Sequence, residues 1–533
     1  MKRRNFLALA AGASASTLAR PNVVRAQGSA GASSVLKFVP QSDLTLLDPV
    51  FNTALVTRNH GMMVYDQLYG LDSSYNAQPQ LVDGHAIEDD GRTWRITLRD
   101  GTTFHDGTPI LARDAIASID RWTKADVLGQ NIRAITDSMT PVSDRVFLIK
   151  LKKPFPLLAT SLAKPSSYCP VMPERMAKNP TSFQVTDIVG SGPFRWVAAE
   201  RMAGSLAVYE RFTGYKPRNE PVSFLAGGKI ARVDRVEWHT IPDAATAAAA
   251  LQQGEVDWWE QPTADLVPLL KKARNVRVEV KDKAGLMGMI RLNHLQPPFD
   301  NPAIRRAFLP AINQTDYMIA SMGDDHALWN DRCGFFLPGS PLATEAGLDT
   351  MAKGAPDYDK VKRNLQEAGY KGEKIVLAVP TDLASLNAMS EIAGDMFRRT
   401  GVNLDYQASD WGSVATRVMT NKDGLDKGGW SAWCNYIPGI IALNPATQSY
   451  VRGPGKSGTS GWPDLPKIEA LRDQFLAADN LADQKHITEE IQLQAFQDIP
   501  YLPTGAYTPP TAFRSNVTGI VEGFPLFYNL QKS

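Results

Sequence analysis

The chain has 533 residues, 43% of them hydrophobic and 21% charged. That is too much chain for one core and too apolar for a disordered protein, so two or three globular lobes are expected. Lys and Arg number 57 against 56 Asp and Glu, a balance with none of the basic excess that binding to nucleic acid requires.

In chain order, Lys2, Arg3 and Arg4 lead into an apolar stretch from Phe6 to Leu18, and Val24-Arg25-Ala26 offers small residues around a cleavage point. This is the pattern of an export signal, residues 1–26, cleaved near Ala26. Arg3-Arg4 followed by Asn5-Phe6-Leu7 resembles a twin-arginine signal, which carries proteins across a membrane already folded. No Cys lies near the cleavage point to carry a lipid, so the product is expected to diffuse freely in a periplasm. Removal of the segment takes the basic residues from 57 to 52 against 56 acidic ones, a net charge of −4. No later stretch reaches the roughly 20 apolar residues that a membrane span needs.

Thr93 to Arg99 alternates apolar and polar, then meets Asp100-Gly101 and, after Thr102 to His105, Asp106-Gly107. Strands joined by tight turns are expected there. Pro109 introduces a helix with Ala115, Ile116, Ile119 and Trp122 at helical spacing and Asp114 in its first turn, giving a small α+β lobe. An alanine-rich helix from Ala244 to Leu251 should end at Gly254. Between 357 and 406 come a helix ended by Gly369, a strand from Ile375 to Val379, a helix from about Ser385 to Thr400, and a strand of Val402, Leu404 and Tyr406. Strand, helix, strand is a crossover unit and predicts a mostly parallel sheet. A last long helical stretch from Ile468 to Ile491 ends before Pro500.

Catalytic signatures are missing. There is no Gly-x-Ser-x-Gly, His-Glu-x-x-His or Cys-x-x-Cys, and the seven histidines form no i, i+4 pair. Gly453, Gly455 and Gly458 have dinucleotide-loop spacing, but Pro454 interrupts them and no helix follows. Hence the chain reads as a non-enzyme without cofactor or metal. Cys169, Cys333 and Cys434 allow at most one disulfide.

Several motifs stand in one order: Tyr65-Asp66-Gln67-Leu68-Tyr69, Trp94 to Gly101, Phe104-His105-Asp106-Gly107-Thr108-Pro109, Gly190-Ser191-Gly192-Pro193-Phe194, Ala250 to Asp257, Ile304 to Phe308, Glu367 to Tyr370 and Gly428-Gly429-Trp430. Together they resemble the extracellular solute-binding proteins of the dipeptide, oligopeptide and nickel type. The resemblance implies an α/β, periplasmic-binding-protein-like clamp of three discontinuous lobes. Lobe I would comprise 35–61, 188–287 and 495–533, lobe II 62–187 and lobe III 288–494, with lobes I and III closing on a peptide or other small molecule. It further implies a monomer that delivers this solute to an inner-membrane ABC permease, and a hydrogen-bonded, structural His105.

Ligands lodge beyond the carboxyl ends of strands, and the strand ending at Tyr406 runs into Trp411. With Trp430, Ser431, Trp433, Asn435 and Tyr436 it forms a candidate binding wall; the alternative is that the three tryptophans are core residues. Gly428-Gly429 suggests a close backbone approach to something. In peptide-binding relatives an acid three positions after this Trp pairs with the ligand's amino group, and the matching position here is Trp433. Lys427 stands where such proteins can carry a ligand-facing base, and a solvated lysine is the alternative. Asp48 matches the family's first-strand exit or caps a turn. An opine-like, aromatic or nickel-chelate solute is the alternative to a peptide.

Overall fold

Val35-Leu36-Lys37-Phe38-Val39 forms a strand that buries Leu36 and Phe38 completely and leaves Val35 and Lys37 half-buried, as its alternation dictates. It lies in a computed structural model that describes residues 34–478 and 480–533; the expected export signal lies outside the described residues. The strand is flanked in parallel by Arg235–His239 and Trp258–Trp259. The full seven-stranded sheet runs Val276–Glu279, Thr511–Arg514, Trp258–Trp259, Val35–Val39, Arg235–His239, Leu206–Arg211, Phe194–Trp196. Phe38, Trp238, Trp258 and Phe527 pack on one another with ring centroids 5.0–5.6 Å apart. On the sheet lies the alanine-rich helix Ala244–Gln253, capped by the Asp243 carboxylate and stopped by Gly254 at φ 83°.

The second sheet has six strands in the order Trp329–Asn330, Tyr501–Tyr507, Leu286–Leu292, Ala432–Pro438, Lys374–Pro380, Asn403–Ser409. Its crossover unit is the expected one, with Lys374–Pro380 and Asn403–Ser409 parallel around the helix Ala384–Arg399. The sheet as a whole is mixed, not mostly parallel. The chain enters it along Leu286–Leu292 and leaves along Tyr501–Tyr507, and these neighbours run antiparallel. The segment from 495 assigned to lobe I on sequence grounds therefore splits: Tyr501–Tyr507 pairs in the second sheet, and the first sheet resumes at Thr511–Arg514. Residues 280–285 and 508–510 are the two adjacent crossings between the sheets.

A third, four-stranded antiparallel sheet (Val82–Glu88, Thr93–Leu98, Val146–Leu151, Thr136–Pro141) carries the amphipathic helix Ala112–Ala125, which buries Ala115, Ile119 and Trp122. The expected hairpin at Asp100-Gly101 does not form. Thr93–Leu98 pairs with its two sheet neighbours, and Thr102–His105 makes only an isolated bridge, Thr103 with Pro109. His105 is a structural link, as implied: its ring nitrogens meet the Gly192 carbonyl at 3.0 Å and the Gly190 amide at 3.2 Å, and burial lowers it to about 4. Asp66 of the Tyr65–Tyr69 motif is buried against Lys229 Nζ at 2.7 Å and accepts the Tyr215 hydroxyl at 2.7 Å. Cys169, Cys333 and Cys434 are free and buried. Among the described residues no helix is long and apolar enough to cross a membrane.

Candidate functional site

The carboxyl ends of Val35–Val39 and Trp258–Trp259 deliver Gln41 and Glu260 to the edge of the first sheet, and that of Ala432–Pro438 brings Tyr436 to meet them. The Tyr436 hydroxyl donates to Gln41 Oε1 at 3.1 Å across 395 residues of sequence. From there a chain of bonds runs inward. The Gln41 amide donates to Glu260 Oε2 at 2.8 Å, Asn59 Nδ2 donates to Glu260 Oε1 at 2.9 Å, and Arg58 donates to Asn59 Oδ1 from Nε at 3.2 Å and Nη2 at 3.0 Å. Arg58 and Asn59 belong to the helix Leu55–Val64, all ten of whose residues are buried.

The Arg58 guanidinium lies 3.7 Å from the centroid of Phe524. It is 4% exposed, yet among the described residues no carboxylate stands within ion-pair distance of it. Burial draws Arg58 down to about 10, against the nearby charges of Asp282 and Glu260. Burial likewise pushes Glu260 up to about 7, with the Gln41 amide, Arg58 and Asn59 opposing. Half-buried Asp282, on the 280–285 crossing, accepts the amides of Ala284 and Gly285, and burial raises it as well. Arg58, Glu260, Asp282 and Phe524 bound a cavity of about 40 Å³, room for a water or two, whose wall is otherwise made by the first sheet and the two crossings.

The candidate wall falls mostly elsewhere. Trp430 and Trp433 are 0% exposed, packed with Ala378, Val414, Val418 and Trp462 in a core of their own. Half-buried Trp411 lies over Trp433 at 5.9 Å. Ser431 is a stitch in the sheet: its Oγ accepts the Val376 amide at 3.0 Å and its own amide donates to the Val376 carbonyl at 2.9 Å. Asn435 donates to the Tyr450 hydroxyl at 3.5 Å, and Lys427 is exposed beyond a short turn. The close approach suggested by Gly428-Gly429 is internal, since a Cβ on Gly429 would sit 2.2 Å from the Asp423 carbonyl oxygen. Asp48 is a buried partner of Arg121 at 2.6 Å that also accepts the Val50 and Val185 amides, which ties the first sheet's exit loop to the four-stranded lobe.

Of the residues singled out from sequence, only Tyr436 is joined to the cleft network. Arg58, Asn59, Gln41, Glu260 and Asp282 were missed. The available signal was Thr57-Arg58-Asn59-His60, four polar residues inside an otherwise apolar helix.

Two α/β lobes that meet at their strand ends, joined by paired crossings and flanked by a third lobe, define the class of clamp proteins that close on a solute. The chain belongs to the bacterial extracellular solute-binding proteins, family 5, whose profile it matches over residues 76–450. It is 33% identical over 542 residues, 98% of each chain, to a probable peptide ABC transporter periplasmic-binding protein, y4tO, of Sinorhizobium fredii. In fold it is similar to the Agrobacterium protein AgaA in complex with agropinic acid (TM-score 0.78, 19% identity, 94% of this chain and 99% of that one). It is also similar to a Pseudoalteromonas dipeptide-binding protein in complex with Met-Leu (TM-score 0.75, 20% identity, 94% and 100%).

Proposed function

We propose that this chain is the exported, periplasmic substrate-binding component of an ABC importer. It captures a peptide or peptide-like molecule between the first and second sheets and presents the closed form to an inner-membrane permease. The Tyr436–Gln41 bond carries this reading, because it bridges the two sheets where their strand ends face each other and would part as they separate. Solute bound between them raises the closed population, and no covalent chemistry is required. The basic-then-apolar start and Val24-Arg25-Ala26 support export through a twin-arginine route with cleavage near Ala26, and the full-length likeness to a peptide-transport protein supports the solute class. The mature protein acts as a monomer.

A second reading, a non-peptide solute such as an opine-like or aromatic acid, draws support from Trp433. An acid is absent from the position that pairs with a peptide's amino group in relatives, and an unpaired buried ammonium costs several kcal/mol.

Thermal denaturation of residues 27–533 with di- and tripeptides, their N-acetyl forms and opine-like acids tests both readings. A solute at a hundred times its dissociation constant stabilises by about 2.7 kcal/mol. Stabilisation by free but not acetylated peptides supports the peptide reading, and stabilisation only by solutes without an α-amino group supports the second. No response to any of them contradicts the binding role.

A further inference from the structure

Beside the crossings lies a buried cation that no carboxylate among the described residues meets at ion-pair distance. Elsewhere in the described residues the buried bases are committed: Arg121 to Asp48, Lys164 to Asp126, Lys229 to Asp66, and Arg291 to the carbonyls of Ser460, Tyr450 and Pro500. Arg58 is as deeply buried as these and has only one side-chain acceptor, the amide oxygen of Asn59, shared by Nε and Nη2. Its Nη1 donates to no described residue. A buried guanidinium is costly unless paired and hydrogen-bonded, and the side chain is nonetheless held rigidly, stacked on Phe524 and gripped at one edge by Asn59.

The neighbouring acids, Asp282 and Glu260, favour its charge from nearby but form no ion pair with it. Glu260 spends its oxygens on the Gln41 amide and Asn59 Nδ2, and Asp282 is engaged with two amides of the 280–285 crossing. Lys281, the other base on the cavity wall, is occupied by Glu279 at 2.8 Å. A pre-oriented, desolvated guanidinium with a free edge, lining a cavity between the first sheet and the two crossings about which the lobes would close, is the arrangement that receives a carboxylate.

We infer that Arg58 is the anion anchor of the cleft, and that the transported solute is a carboxylic acid whose carboxylate docks on the free edge of the Arg58 guanidinium as the lobes close. The inference rests on the solute-binding role and narrows it to a substrate class. Phe524 is a positioning residue in this scheme, holding the guanidinium plane from behind. The Tyr436–Gln41–Glu260–Asn59 chain couples the anchor to the opposite sheet, so that seating the anion and closing the lobes occur together.

The test is calorimetric titration of the mature protein with acid and amide pairs: Met-Leu and Met-Leu amide, N-acetyl-leucine and its amide, and agropinic acid as an opine-type acid. Wild type, Arg58→Gln and Arg58→Lys are compared, each shown by its melting curve to be folded. The expected result is that every binder is an acid, that amidation weakens it on the order of 100-fold, and that Arg58→Gln loses acid binding by a similar factor. Arg58→Lys retains part of it, and Arg58→Gln binds the amide at least as well as wild type does, an outcome that simple misfolding does not give. Equal binding of acid and amide by wild type, or acid binding unchanged in Arg58→Gln, would overturn the inference and leave the transport role standing. Failure of every acid and amide to bind at millimolar concentration would overturn the transport role, and the inference with it.

Discussion

Two regions of the molecule compete as the place where solute is held, and they differ in what their burial costs. The tryptophan wall at Trp411, Trp430 and Trp433 is rich in ring surface and nearly free of charge; two of its three rings are fully buried among Ala378, Val414, Val418 and Trp462. The Arg58–Glu260 cluster is poor in rings and rich in charge that protein groups only partly satisfy. Burial of apolar rings stabilises a fold without help, whereas an under-paired guanidinium and a carboxyl pushed up to about 7 by burial work against it. Aromatic density at Trp430 and Trp433 therefore goes with core packing, and the proposed anchor goes with the incompletely paired polarity.

The largest effect that separates the regions is Trp433→Ala. Removing a fully buried tryptophan should cost about 3–5 kcal/mol of stability in chemical denaturation, while solute affinity in the folded fraction stays unchanged. A fall in affinity with little loss of stability would return Trp433 to the site. Asp48→Asn should behave in the same way, by about 3–5 kcal/mol, since it strands Arg121 in the interior.

Glu260 sharpens the contrast through pH. Its folded value, about 7, lies above the ordinary 4.5, so the penalty for its charge is absent below pH 4.5, grows as pH rises and is complete above 7. At roughly 1.4 kcal/mol per unit this comes to at most about 3.5 kcal/mol, with the closed form less stable at pH 8 than at pH 5. Of the groups that face it, Arg58 at about 10 and Tyr436, raised by burial, keep their charge states across that window, and Asp282 is raised in the same direction. Glu260→Gln should flatten this part of the profile when melting curves are compared with wild type; an unaltered profile would show that Glu260 does not titrate there. Smallest is Tyr436→Phe, which deletes one inter-lobe hydrogen bond worth about 1 kcal/mol. Small-angle scattering of the variant should show a larger radius of gyration than wild type in the absence of solute.

The framework was legible in the sequence where local chemistry decides it. Gly254 ends its helix because the chain there needs a left-handed residue, and the crossover around Ala384–Arg399 follows from its periodicity and the glycines at its boundaries. The Asp100-Gly101 hairpin misled because pairing is non-local: the partner of Thr93–Leu98 on that side is Val146–Leu151, some fifty residues on. The site was hidden for a related reason. Leu55–Val64 is enclosed on all faces and shows no polar stripe, so Arg58 looks like an interruption of a core helix until Glu260, Asp282 and Phe524 arrive from more than two hundred residues away. Tyr436 was found because it belongs to the aromatic run that follows Gly428-Gly429 and lies near the carboxyl end of Ala432–Pro438.

The most direct measurement is a crystal structure of the mature protein with the first solute that stabilises it. Placement of the cleft at Arg58 requires the solute between the two sheets, with an anionic group within hydrogen-bonding distance of the Arg58 guanidinium and Tyr436 closing over it. A solute seated against Trp411, with Trp430 and Trp433 turned toward it and Arg58 untouched, would contradict that placement.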